Sequence, residues 1–521
     1  MGWEKDKSDR RIGEHLENLE DIHIEPLVRE ADLDDLLSET NCREIFGAHV
    51  YVDVPNIAQL SSEPIVSKDG YARLIRAIHC YERALIRIIT DLFDGTSIHF
   101  QGAKMHALFY RPINDQQVLA TKAVLFQLVA RDYVSTVFNA VFPDYVAFET
   151  ASGSDIGTTI GTKSGQSGSR ELLFVGPAAN HAAHIVPAKG IRISEDVFTN
   201  LPDDLQKACT KSSGVYRITM TSAELDSALQ TQGVKYDRER TREALEKDRD
   251  AVPLSEIQYS DANVKIDFTT LSIRNNKRFS GVSVFADLSG FTAFVEEAET
   301  DEEKTEALRI FAVARREFSR VLRTDYDGVF VQHQGDRIQG ILHLPKDDES
   351  QVAMHAIEIA AAMQSSLDLI KVHLPAAEPL GLAIGIDYGR TLASSLGERG
   401  DRDNLCVGKA VVNAARIQEA SDDSEIAISG TVFDALSEDL QSLFAHDDDR
   451  DAYVAIGLTF SDIELAQKAL MHDKATHLSV GAVLGAAGLG IAAAAIGIAA
   501  AAKKEQPGTI EVSRPYAPDE E

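Results

Sequence analysis

The chain has 521 residues, room for two to four domains at ~150 residues each, with 52 basic against 82 acidic side chains and a formal net charge of −30. So acidic a protein lacks the basic footprint needed to coat nucleic acid. A hydrophobic fraction of 44% with 26% charged residues fits a folded globular body, and four scattered cysteines (Cys42, Cys80, Cys209, Cys406) without a C-x-x-C pair exclude zinc ribbons and thioredoxin-like chemistry and fit a reducing compartment.

In chain order, residues 1–44 read as an acidic helical lead-in without the apolar core of a signal peptide. Residues 45–222 form a first domain: a strand VYVDVPN (50–56), a hairpin FDGTSIHFQGAKMHALFYRP (93–112), a strand-to-helix segment LLFVGPAANHAAH (172–184) and ISEDVFTNLPDDLQ (193–206). Residues 223–279 are a linker, dense in alternating charge over 234–251 and expected as a solvated helix. Residues 280–457 form a second domain with VFADLSG (284–290), YDGVFVQHQGDRIQGILHLP (326–345), LGLAIGIDYG (380–389), NLCVGKAVVNAAR (404–416) and ISGTVFDALSEDLQ (428–441). Residues 458–521 form a tail whose segment Leu478–Ala502 is 25 residues without a charge. That length as a helix suffices to cross a bilayer, so a tether to the inner face of the cell membrane is expected, although its Gly and Ala content also suits packing against protein.

The two domains repeat each other. The last pair of segments agrees at eight of fourteen positions, and the separation stays between 232 and 235 residues for all four pairs. Register held over that length indicates a duplication. Each half alternates strands with long helices around a D-G and Q-G hairpin, which predicts an α+β fold with a β-α-β-β-α-β core.

Chemistry gathers in the second half. Asp287 closes a buried strand, and the backbone amides of Leu288, Ser289, Gly290 and Phe291 open the following helix, a place suited to phosphate. Asp336 sits in the Gly335-Asp336 turn, where it can lie beside Asp287. Two adjacent carboxylates repel unless cations lie between them, so two Mg²⁺ or Mn²⁺ ions are expected.

FADLSGFTAF, QGDRIQGIL, GIDYGRTLASSLG and CVGKAVVNAARI, in this order and spacing, resemble the class III nucleotidyl cyclases, the adenylate and guanylate cyclase family. Residues 45–220 resemble the same domain in degenerate form. The resemblance implies two tandem ferredoxin-like (βαββαβ) cyclase domains forming an intrachain pseudo-dimer, followed by the apolar C-terminal helix. It implies metal ligation by Asp287, the Leu288 backbone and Asp336, with a ribose-orienting Asn and a transition-state Arg from the opposite domain. The first half keeps Asp53 but has Ala103 in place of the second Asp. It keeps Asn180, with His184 where the family has Arg; the second half has Val412 at the Asn position, Asn413 after it, and Arg416. One complete site therefore combines Asp287 and Asp336 with Asn180 and His184. A homodimer pairing second halves across chains through Arg416 is the alternative.

The base-reading positions are His99 and Leu173 in the first half and Gln332 and Leu405 in the second. Neither half carries the family's purine-reading pairs. The pattern resembles the pyrimidine cyclases of bacterial anti-phage (Pycsar) systems, implying cyclisation of UTP or CTP and a downstream effector that senses the cyclic nucleotide. A purine cyclase, an inactive pseudocyclase module and a two-metal phosphohydrolase are the competing readings.

Overall fold

The computed structural model describes residues 2–19, 21–62, 70–143, 147–164, 171–298, 300–398 and 401–468. Its first half supplies β1 (His23–Pro26), β2 (Asn41–Asp53), β3 (Thr96–Gln101), β4 (Lys104–Phe109), β5 (Ala151–Ser164), β6 (Glu171–Val175), β7 (Gly190–Ile193), β8 (Cys209–Ser212) and β9 (Val215–Ile218). The second supplies β10 (Gln258–Asp261), β11 (Asn275–Ser289), β12 (Val329–Gln334), β13 (Arg337–Leu342), β14 (Gly381–Glu398), β15 (Asp401–Val407), β16 (Glu425–Ile428), β17 (Ala445–Asp447) and β18 (Ala452–Ile456). The principal helices are α1 (Lys5–Glu17), α2 (Gly70–Phe93), α3 (Gln116–Asp132), α4 (Pro177–His184), α5 (Arg238–Ala251), α6 (Phe291–Glu296), α7 (Asp301–Arg320), α8 (Glu349–His373) and α9 (Lys409–Glu419).

The architecture is mixed α+β with two similar nine-stranded sheets. Their orders are β3-β4-β2-β5-β7-β9-β8, with β1 on β2 and β6 on β5, and β12-β13-β11-β14-β16-β18-β17, with β10 on β11 and β15 on β14. The match extends to register. Val50 lies opposite Ala107 and Asp53 opposite Ala151, while Val284 lies opposite Gly340 and Asp287 opposite Ala383. The duplicated segments therefore occupy equivalent places, because a one-residue slip would turn every buried side chain of β2 or β11 to the wrong face.

Residues 1–463 form one compact unit, and a second unit, 464–521, lies almost wholly outside the described residues. Leu74, Ile78, Leu85 and Ile89 line the buried stripe of α2. Leu392, Leu396, Leu405 and Val407 of the second half belong to the same apolar cluster as these first-half residues, so the core runs through the junction of the halves. The Lys304 ammonium reaches Glu44 across that junction at 2.8 Å.

Three expectations are revised. The lead-in is anchored: α1 lies against α7 and α8 of the second half, where Arg11 donates to both oxygens of Asp325 at 2.9 Å and also to Glu317. Trp3 donates to Ser366 at 3.0 Å nearby. The charged segment 234–251 holds α5, which packs on α2 through Arg83 and Arg87 to Asp248 and buries Leu245 completely. The membrane tether is withdrawn. Among the described residues no helix is long and apolar enough to cross a membrane, and Leu478–Ala502, expected as an apolar helix, lies outside them.

Candidate active site between the halves

Asp287 reaches the site because it is the third residue from the C-terminus of β11, where the apolar strand gives way to a left-handed glycine, Gly290 at φ +80°, and the short helix α6. Asp336 reaches it from the β12–β13 turn, opened by Gly335 at φ +70°, which a side chain would strain. Both aspartates are half-buried, and the protein around them desolvates their carboxyls. Burial raises the Asp336 pKa well above the usual range and the Asp287 charge raises it further, while Arg337 and Arg315 pull it back. Burial also raises Asp287; Arg337 opposes the shift and Glu419 adds to it. Arg337 is itself held by Gln334 at 2.9 Å and Glu419 at 3.0 Å and lies over the Phe285 ring.

Two desolvated carboxylates, one of which is raised further by the charge of the other, fit a divalent cation, which removes the repulsion that keeps a proton on Asp336. Among the described residues no group of three or more His, Cys, Asp or Glu forms a metal cluster, so further ligands fall to backbone oxygen, water or a phosphate-bearing substrate.

The first half faces this pair. Burial pushes the Tyr51 hydroxyl up and the Asp336 charge adds to it, so Tyr51 of β2 lies within electrostatic reach of Asp336 of the other half. Tyr51 stacks on His106 at 4.4 Å, His106 meets the His99 ring edge-on at 5.3 Å, and the Lys104 ammonium lies 5.6 Å from the Tyr51 ring centre. Burial lowers the His99 pKa to about 4 and that of His106 well below its usual value, so both rings are neutral at pH 7. His99 accepts or donates one bond with Gln101 at 3.0 Å, and Leu173 is buried.

Helix α4 packs against α6, which puts Asn180 and His184 opposite the helix that follows Asp287. Asn180 is half-buried and His184 exposed. Between them His181 bonds Asp155 at 2.8 Å; that bond raises the imidazole pKa, and Glu296 of α6 adds to the effect from across the junction. In the second half Asn413 takes the place of His181, donating to Asp387 at 3.0 Å, and Val412 stands where Asn180 does. Helix α9 instead packs against the short helix Ile57–Ser62, on the side of Asp53 and Ala103. Arg416 is exposed there and donates to Asn413 and to the Arg450 carbonyl. Asn180 and His184 thus lie on a helix packed against the one that follows Asp287, while the side chain of Arg416 is engaged by Asn413 and the Arg450 carbonyl.

Gln332 and Leu405 also belong to that other side. Gln332 is buried and donates to Gln339 at 3.2 Å, and Leu405 is absorbed into the apolar core. Ser289 ends β11 against Gly381, and Phe291 is buried on Phe311 with ring centres 5.0 Å apart. Because α6 is only six residues long, its dipole contributes little at Leu288–Phe291. His333 is buried and bonded to Ser319 at 3.3 Å. Tyr51, Lys104 and His106 were missed from sequence. They occupy the positions of Phe285, Arg337 and Gln339 in the repeat, and that substitution of one half against the other is the signal that singles them out.

Two duplicated halves joined over a strand-end and a turn carboxylate are the build of a class III nucleotidyl cyclase, and residues 275–467, the second half, match the adenylate and guanylate cyclase catalytic domain. Over most of its length it is similar to two uridylate cyclases. It is 28% identical to that of Pseudomonas aeruginosa over 461 residues, 85% of this chain and 88% of the relative. It is 26% identical to that of a Rhizobium species over 439 residues, 80% and 82% of the two chains. Among solved structures, a class III adenylyl cyclase-like ATP-binding protein from Pseudomonas aeruginosa superposes with a TM-score of 0.77 at 26% identity, covering 90% of this chain and all of that one.

Proposed function

We propose that the chain is a uridylate cyclase that converts UTP to 3′,5′-cyclic UMP and pyrophosphate at one site between its halves. The observation that carries this reading is the desolvated Asp287–Asp336 pair with Tyr51 of the opposite half within electrostatic reach of it. In the reaction the ribose 3′ oxygen forms a bond to the α-phosphorus, the bond from that phosphorus to the bridging oxygen breaks, pyrophosphate leaves and the hydroxyl proton passes to solvent. Asp287, Asp336 and the Leu288 carbonyl would hold divalent cations, which would supply Lewis acidity when bound. Asn180 orients the ribose by hydrogen bonding, and His184 on the same helix faces the charge that builds on the phosphorus. Leu173 offers no hydrogen bond to a purine edge, whereas the neutral imidazole of half-buried His99 could give a pyrimidine a polar partner.

The mismatch of the halves supports a single site. Ala103 deprives the Asp53 side of its second carboxylate, and Leu405 fills the corresponding base position with core. By the resemblance to pyrimidine cyclases of anti-phage systems, the product is read by a cyclic-nucleotide-sensing effector during infection; an Asp336→Ala strain that remains as phage-resistant as wild type removes that role. The test of the activity is incubation of the full chain with each NTP and Mn²⁺, followed by mass spectrometry. Cyclic UMP should dominate. Faster cyclisation of ATP than of UTP and CTP would make the protein an adenylate cyclase, and no cyclic product from any NTP would make it a pseudocyclase.

A further inference from the structure

We propose that Arg315 and Glu171 form a latch between the halves that positions the Asp336 turn for metal binding; this rests on the reading of Asp287 and Asp336 as the metal pair. Arg315 comes from α7, whose start is fixed by a capping box between Thr300 and Glu303, and it is only 3% exposed. One guanidinium nitrogen donates to Glu171 of the first half at 3.2 Å, while the plane lies 5.2 Å from the centre of the Phe311 ring. The same Glu171 carboxylate accepts the backbone N–H of His333, three residues before Asp336 on β12. The His333 ring is tied in turn to Ser319 of α7. The strand that delivers Asp336 is thus pinned to β6 of the opposite half and to its own helix. Arg315 keeps two further donors, Nε and Nη1, without a partner among the described residues, and its charge acts on Asp336.

The repeat supplies an internal control. At an offset of 232 or 233 residues, Glu82 replaces Arg315, Asp403 replaces Glu171 and Phe100 replaces His333. Asp403 accepts the Phe100 backbone N–H at 3.3 Å, so the strand-to-arm contact is preserved. The cation is not preserved, and the turn that this second latch supports carries Ala103. The two halves therefore pack without a buried arginine where no metal carboxylate needs placing, and have one where it does. Burying an arginine with unpaired donors is costly unless its charge is used, and here it faces the carboxylate turn.

The test uses the full chain and a variant in which both charges are removed together, Arg315→Met with Glu171→Gln, so that no lone buried charge unfolds it. Mn²⁺ binding without nucleotide, followed by electron paramagnetic resonance, should weaken about tenfold or more, the scale of a lost supporting contact at a metal site. With UTP, kcat should fall about tenfold while KM stays within about threefold, and Arg315→Lys should recover part of the loss through its retained charge. Glu82→Gln, at the equivalent place in the other half, should leave both readouts unchanged. Mn²⁺ affinity in the double variant within twofold of wild type, with Asp336→Ala abolishing it, overturns the latch alone. Unchanged affinity in Asp336→Ala overturns the metal assignment and the latch with it.

Discussion

Asp287 and Asp336 illustrate how much one charge matters in a desolvated cleft. Each carboxylate is tolerated because Arg337 stands beside it, and Arg315 adds to the support at Asp336. Asp287→Asn or Asp336→Asn is expected to bring cyclase turnover to background while leaving the thermal midpoint unchanged or raised, since a repelling buried charge is removed. Turnover near wild type in either variant would refute the metal pair. The asparagines separate in the opposite sense. Asn180→Ala should cost about 10² in kcat, as for a lost transition-state hydrogen bond. Asn413→Ala should cost about 1–2 kcal/mol of stability, measured by urea titration, through the lost bond to Asp387. Equal kinetic damage from both would favour a site using Arg416. The two carboxylates were legible in the sequence because a strand-end Asp and a turn Asp each leave a local pattern. Arg315, Glu171 and Tyr51 leave no local pattern, only a difference between the repeats, since what defines them is a neighbour from the other half.

At the scale of elements, the repeated strands were readable because period-two burial and turn residues are local signals, and the duplication let each half check the other. Helix α1 was not readable. Its own sequence is too polar to announce a packing face, and it is held by Arg11 between Asp325 and Glu317, acids more than 300 residues away. Arg11→Ala should destabilise the protein by about 3 kcal/mol, because it leaves buried Asp325 with only Lys7 and buried Glu317 with only Ser8. Differential scanning calorimetry checks this, and a shift of less than a degree would mean that α1 is ornamental. The solvated linker expected over 234–251 failed for a related reason: one buried leucine, Leu245, and one acid facing two arginines of α2 suffice to dock a helix whose composition reads as free.

For the whole molecule, buried histidines set the response to acid. Burial lowers His15 and His49 to about 3 and His79 and His343 to about 4, so each is neutral in the fold and takes up a proton near pH 6.5 once unfolded. Their contribution to stability is complete above pH 6.5 and is lost as the pH falls toward 3–4. Raised carboxylates such as Glu82 and Glu317 act in the opposite direction, since acid relieves their burial. His49→Gln isolates one member of the first set. Its urea midpoint should fall less between pH 6.5 and pH 4 than that of wild type, and an equal or steeper fall would show that His49 is already charged in the fold.

The docking of α1 bears on how the protein is made. A ribosome releases α1 before any residue of the second half exists, yet Lys7, Ser8 and Arg11 find their partners on α7 and just beyond it, Lys7 at a separation of 318 residues. Throughout synthesis of the first half this helix has no surface to rest on, and it can settle only after Asp325 has left the exit tunnel. A segment translated ahead of both halves is therefore among the last to be fixed, and it marks the moment at which the two halves have both arrived.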